Sequence, residues 1–246
     1  MPDWNALDDA YGSAATVGAM LEELDAGTGE VDWDVLWSHL CHQSTVYSAS
    51  LQALPYLLRA ALNAVPAQRT EPLVLAGAIV SHADSVPVQV PGHPQLLPLL
   101  PLLQDCTAQT LREVAQDDLP DATFLHLLQA HLAFGGERVW SRALAGVLEG
   151  ELSGVCPACQ TDLYIVIDPP QAFVTHEEWI GGGAVRTAVI EAAAGDPASE
   201  SERWLLEMAR AHRDGFVDTL RLLFGSSRCT QCEAPFELRE AVRLSG

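Results

Sequence analysis

The chain of 246 residues carries 33 acidic side chains against 13 basic ones, every base an arginine, for a formal charge of −20. Without lysine there is no phosphate-loop, Schiff-base or kinase-type lysine. So acidic a balance argues against nucleic acid, whose binding needs cations to displace condensed counterions. Apolar residues are 48% of the chain, enough for a sizeable core at this length, and no window reaches the roughly 18 uninterrupted apolar residues of a membrane span. The opening "MPDWNALDDAYG" is acidic and lacks a basic and an apolar signal region, so a cytoplasmic location is expected.

Residues 1–151 read as successive helices with short breaks. "SAATVGAMLEEL" (13–24) takes Ser13 as N-cap, and "DWDVLWSHLC" (32–41) starts at Asp32. "STVYSASLQALPYLLRAAL" (44–62) sets Leu51, Leu54, Leu58 and Leu62 on one helical stripe. "RTEPLVLAGAIVSH" (69–82) opens on Thr, Glu and Pro, an N-terminal signature. The Pro- and Gly-rich 84–94 is expected as a loop. Helices are then expected over 95–105, 107–116, 121–134 and 137–150. About eight short helices without a strand signal predict a stack of helical hairpins.

"LLPLLPLLQDCTAQTLREVA" (96–115) resembles a HEAT repeat: an apolar, Pro-interrupted first helix, an Asp near its end, then a second helix. The resemblance puts Asp105 at the turn between the two helices and Arg112 on the second. "DDAYGSAATVGAMLEEL" (8–24) and "LCHQSTVYSASLQALPYLLRAA" (40–61) look like the opening of a bacterial group of HEAT-like proteins of mostly unknown function, in which Gly usually stands at Ser44. A mainly α fold is therefore expected: a HEAT-like hairpin stack over 1–151 and a small α+β, zinc-ribbon-like domain over 152–246.

The second domain is read from cysteines. Cys156-x-x-Cys159 and Cys229-x-x-Cys232 are each followed by strand-like sequence, "LYIVI" (163–167) and "FEL" (236–238). Two such knuckles together supply a tetrahedral S₄ shell for one structural Zn²⁺. The 69 residues between them include 190–225, whose later part reads as one or two helices able to return the chain. A thiol–disulfide site is the competing reading of "CPAC", but it needs a helix after the first Cys, where a strand is expected. Gln160 and Glu233 stand where a knuckle often places Gly to take a left-handed backbone. Backbone amides of the knuckles, and Arg228, are the expected donors to the sulfurs.

Other polar groups suggest less. His39 and His42 share a helical face but lack an evident carboxylate, so they read as satisfied histidines, and Tyr47 has no assigned role. His126 and His131 do not share a face. "THEEW" (175–179) has one His, and "GGG" (181–183), with only Arg186 near, reads as a turn. Cys41 and Cys106 read as small buried hydrophobes. No catalytic residue is expected. The function implied is a non-enzymatic protein-interaction module, of inhibitor or immunity type, whose acidic surface suits a basic protein partner. The alternative is a hydrolase using carboxylates such as Asp168, Glu177 and Glu178.

Overall fold

The computed structural model describes residues 2–28, 31–83, 93–114, 119–178 and 184–245. The expected loop therefore lies almost wholly outside the described residues, and so do Trp179 and the triple glycine. The chain divides into two compact units, Met1–Ser141 and Arg142–Gly246. It is mainly helical with small sheets, and no helix among the described residues is long and apolar enough to cross a membrane.

In the first unit the helices are α1 (Ala15–Ala26), α2 (Trp33–Leu40), α3 (Ser48–Asn63), α4 (Thr70–Ser81), α5 (His93–Leu96), α6 (Leu99–Glu113) and α7 (Asp121–Phe134). The Asp32 side chain caps α2 by accepting the Val35 amide. Leu51, Leu54 and Leu58 are buried along α3 as their spacing predicts, while Leu62 in the last turn is exposed. At the α4–α7 contact a Cβ on Gly77 would stand 2.3 Å from that of Ala130. Two small residues thus let the helices approach, and fully buried Leu73, Ile79, Phe124 and Leu127 fill the core beside them.

Three expectations are corrected here. Ser13 does not cap α1: it lies in strand β2 (Gly12–Ser13), paired with β1 (Asp8–Asp9), and the helix starts after Ala14. A second hairpin, β3 (Cys41–His42) with β4 (Thr45–Val46), delays α3 to Ser48. These strands of two residues are too short for any alternation to show in sequence. Third, α6 is continuous through Asp105 and Arg112, so Asp105 is not at a turn between helices. Nothing from Gln104 to Thr107 breaks a helix, and the Thr107 and Thr110 hydroxyls donate to Leu103 O and Cys106 O one turn back, both at 2.8 Å.

Where the chain passes from the first unit to the second, the helix expected over 137–150 is instead two single turns, α8 (Trp140–Ala143) and α9 (Gly146–Glu149). The second unit continues into a four-stranded antiparallel sheet: β5 (Glu151–Val155), β6 (Asp162–Asp168), β7 (Gln171–Thr175) and β8 (Ala188–Val189), in that order. As an inner strand, β6 buries Leu163, Ile165, Val166 and Ile167 on both faces, which is why it reads as a continuous apolar run. Two helices follow, α10 (Glu200–His212), capped by Ser199, and α11 (Gly215–Leu223). A separate hairpin pairs β9 (Ser226–Arg228) with β10 (Pro235–Glu237), and α12 (Leu238–Ser245) ends the unit. The last helix covers edge strand β5 where Gly154 leaves room: a Cβ there would meet Ala241 at 3.3 Å.

Candidate metal centre

Each Cys-x-x-Cys sits at the tip of an antiparallel hairpin. The last strand pairs before the tips are Val155↔Asp162 and Arg228↔Pro235, so each loop holds six residues. The loops fold alike. Cys156 N–H donates to Thr161 O at 2.9 Å and Gln160 N–H to Cys156 O at 2.9 Å; Cys229 N–H donates to Ala234 O at 3.0 Å and Glu233 N–H to Cys229 O at 2.8 Å. Closing both loops requires a left-handed residue after the second cysteine, and Gln160 (φ 61°) and Glu233 (φ 64°) adopt that conformation. The first cysteine of each loop, Cys156 and Cys229, is buried, and the second, Cys159 and Cys232, is exposed.

The two tips meet. The sulfurs of Cys156, Cys159, Cys229 and Cys232 all lie within 4.8 Å of one another, the only cluster of three or more potential metal ligands among the described residues. Across the loops, Cys156 Sγ is 3.8 Å from Cys232 Sγ, and Cys159 Sγ is 3.7 Å from Cys229 Sγ. Four thiolates about 2.3 Å from a shared tetrahedral centre stand about 3.8 Å apart. A disulfide would need about 2.05 Å. The residues therefore fit a metal ion held by four sulfurs, and all four cysteines are free.

Electrostatics agree with the geometry. Burial pushes the Cys229 thiol up to about 12. The Thr161 hydroxyl, 3.3 Å from Cys159 Sγ, and the Thr161 amide draw the Cys159 thiol down to about 6. Sulfurs so close together cannot all hold negative charge unless a cation offsets it. Backbone amides face the sulfurs as expected: Gln231 N–H donates to Cys229 Sγ at 3.4 Å, and the Ala234 amide favours the Cys232 thiolate, although the neighbouring Cys159 and Cys156 sulfurs and burial leave that thiol raised. Arg228 instead donates to Glu233 O at 3.3 Å, which braces the second loop from its own backbone. No helix follows Cys159: β6 occupies that position, as the zinc reading anticipates and the redox reading does not.

The remaining sequence candidates are dispersed. His176 Nδ1 lies 2.6 Å from Thr230 Oγ1, and its amide donates to the same hydroxyl, so this histidine ties β7 to the second knuckle. Asp168 ends β6 and Glu178 lies beyond β7, both exposed, while the Glu177 amide donates to Thr175 Oγ1. Arg186 pairs with Glu233. His126 and His131 lie on α7, where burial lowers the pKa of both. Cys41, in β3, has its thiol pushed up to about 11 by burial, and Cys106 is buried in α6.

One cluster in the first unit has no signal in the linear sequence. The buried Asp9 carboxylate lies 2.8 Å from His39 Nδ1 and accepts the Tyr11 amide at 2.8 Å. It orients an exposed Tyr11 ring edge-on to His39, centroids 4.7 Å apart, with His42 at 6.0 Å. The carboxylate that His39 lacked on its own helix comes from 30 residues upstream, at a hairpin too short to foresee. No family model, curated protein or solved structure matches the chain.

Proposed function

We propose that the chain is a protein-interaction module without catalytic activity: an acidic HEAT-like helical unit joined to a zinc-ribbon-like unit stapled by one structural Zn²⁺. The zinc assignment rests on the cross-loop sulfur distances of 3.7 and 3.8 Å, the edge lengths of a ZnS₄ tetrahedron. Four thiolates leave no open coordination position, so such an ion activates no water and acts as a clasp.

The interaction reading rests on where the charge falls. Met1–Ser141 carries four arginines against 17 acids, whereas Arg142–Gly246 carries nine against 16. The helical unit therefore concentrates the negative field, which favours a basic protein partner and rapid, salt-sensitive association. An immunity or inhibitor role toward a basic enzyme, in the cytoplasm, is the concrete form of this reading.

Two measurements test the halves separately. Metal analysis of the purified chain should give one zinc, lost from both the Cys156→Ser/Cys159→Ser and the Cys229→Ser/Cys232→Ser variant; retention by either ends the shared-ion reading. Affinity capture from the native host should recover a basic protein at low salt and release it at high salt. Capture of acidic proteins, or indifference to salt, ends the electrostatic one.

A further inference from the structure

In so acidic a chain an arginine readily finds a carboxylate, and several do: Arg59 with Asp25, Arg69 with Glu113, Arg186 with Glu233 and Arg239 with Glu202. Arg203, Arg210 and Arg221 do not; no carboxylate among the described residues pairs with them. All three line one cleft of about 810 Å³ in the second unit, bounded by α10, α11 and the extended segment 191–198. Arg203 and Arg210 are seven residues apart and so share one face of α10, with Leu206 between them on the cleft wall. Arg221 comes from α11, whose backbone is fixed at that residue because its carbonyl accepts the Ala193 amide at 2.9 Å.

Four carboxylates, Glu191, Asp196, Glu202 and Glu237, share the cleft lining without pairing with these arginines, and Glu202 is engaged elsewhere. Glu202 accepts from Arg239 at 3.2 Å and from the Ala198 amide at 3.0 Å. The lining also includes Ala192, Ala193, Ala194 and Gly195, small residues that take up little of the cleft. We infer that this cleft is a binding site for a small, multiply charged oxyanion, held by Arg203, Arg210 and Arg221. Guanidinium forks match phosphate and carboxylate oxygens, and the volume suits a small-molecule ligand. Glu191, Asp196 and Glu237 lie on the same cleft and repel a long polyanion, so the occupant is compact.

The test is calorimetric titration of the full, zinc-loaded chain with pyrophosphate and with citrate, at constant ionic strength. Saturable binding of at least one is expected, weakened tenfold or more by each of Arg203→Gln, Arg210→Gln and Arg221→Gln and unchanged by Arg243→Gln on α12. The tighter of the two probes identifies the ligand as phosphate or carboxylate. Absence of saturable binding by both overturns the inference, as does binding that survives all three substitutions. Equal or tighter binding of a long single-stranded oligonucleotide overturns it too. Glutamine keeps the helices intact, and unchanged circular dichroism of each variant confirms that a lost signal is a lost ligand.

Discussion

Among the described residues, Ser44 and Glu233 are two of four non-glycine residues with positive φ, at 61° and 64°, beside Gln43 and Gln160. Ser44 is the second central residue of the β3–β4 turn, where a type I′ geometry demands a left-handed backbone. Glu233 closes the second knuckle. A side chain in this conformation costs on the order of 1 kcal/mol relative to glycine. Ser44→Gly and Glu233→Gly should therefore each stabilise the protein by about 0.5–1 kcal/mol, read as a higher urea midpoint with unchanged slope. Glu233→Gly also gives up the ion pair with Arg186, but both partners are exposed and such a pair contributes little. The strain at Glu233 was legible in sequence, because a Cys-x-x-Cys knuckle needs that backbone whatever residue follows. The Asp9–His39 pairing was not, because it depends on two hairpins whose strands have two residues each.

Among the elements, α7 shows what periodicity reveals and what it hides. Its bounds, Asp121–Phe134, coincide with the segment read from sequence, since Pro120 and Gly135 punctuate it. Its pairing with α4 could not be read, although α4 itself was, because Gly77 in an apolar helix looks like a weakness rather than a contact point. Gly77→Ala would drive a Cβ to within 2.5 Å of the Ala130 backbone. It should cost about 1–3 kcal/mol despite the better helix propensity of alanine, seen as a lower midpoint for helix loss by circular dichroism. The helix break expected beside Asp105 is likewise displaced. Pro98 marks the real break, and Pro101 sits in the first turn of α6, where the missing amide costs nothing.

Burial lowers the pKa of both His126 and His131, with Glu71 opposing the shift at the first, and Gln104 and Asp105 at the second. The unfolded chain, whose histidines titrate near 6.5, thus binds protons before the folded one as pH falls. Their contribution is complete above that pH and is lost progressively below it, toward their lowered folded values. Urea midpoints should fall from pH 7.5 to 5.5, and a His126→Gln/His131→Gln variant should show a shallower fall. A slope equal to that of the parent would place the dependence elsewhere, His212 being the next candidate.

At the scale of the whole molecule, the two units differ in what holds them. The first buries leucine-rich helices around α4 and α7 and draws its stability from apolar area. The second closes a separation of 70 residues between Cys159 and Cys229 through sulfurs at 3.7 Å. Without a cation, four crowded thiols replace a tetrahedral shell whose apparent binding energy is roughly 10 kcal/mol. Chelation at neutral pH should therefore act unevenly. Hydrogen exchange should lose protection over 151–168 and 226–237, while the α4 and α7 amides remain protected. Uniform loss would mean that the helical unit depends on the metal as well. Unchanged exchange in both hairpins would mean that backbone pairing alone holds the loops, and a clasp would then be unnecessary. The uneven outcome follows from the arrangement, because the four sulfurs join two hairpins that both belong to the second unit.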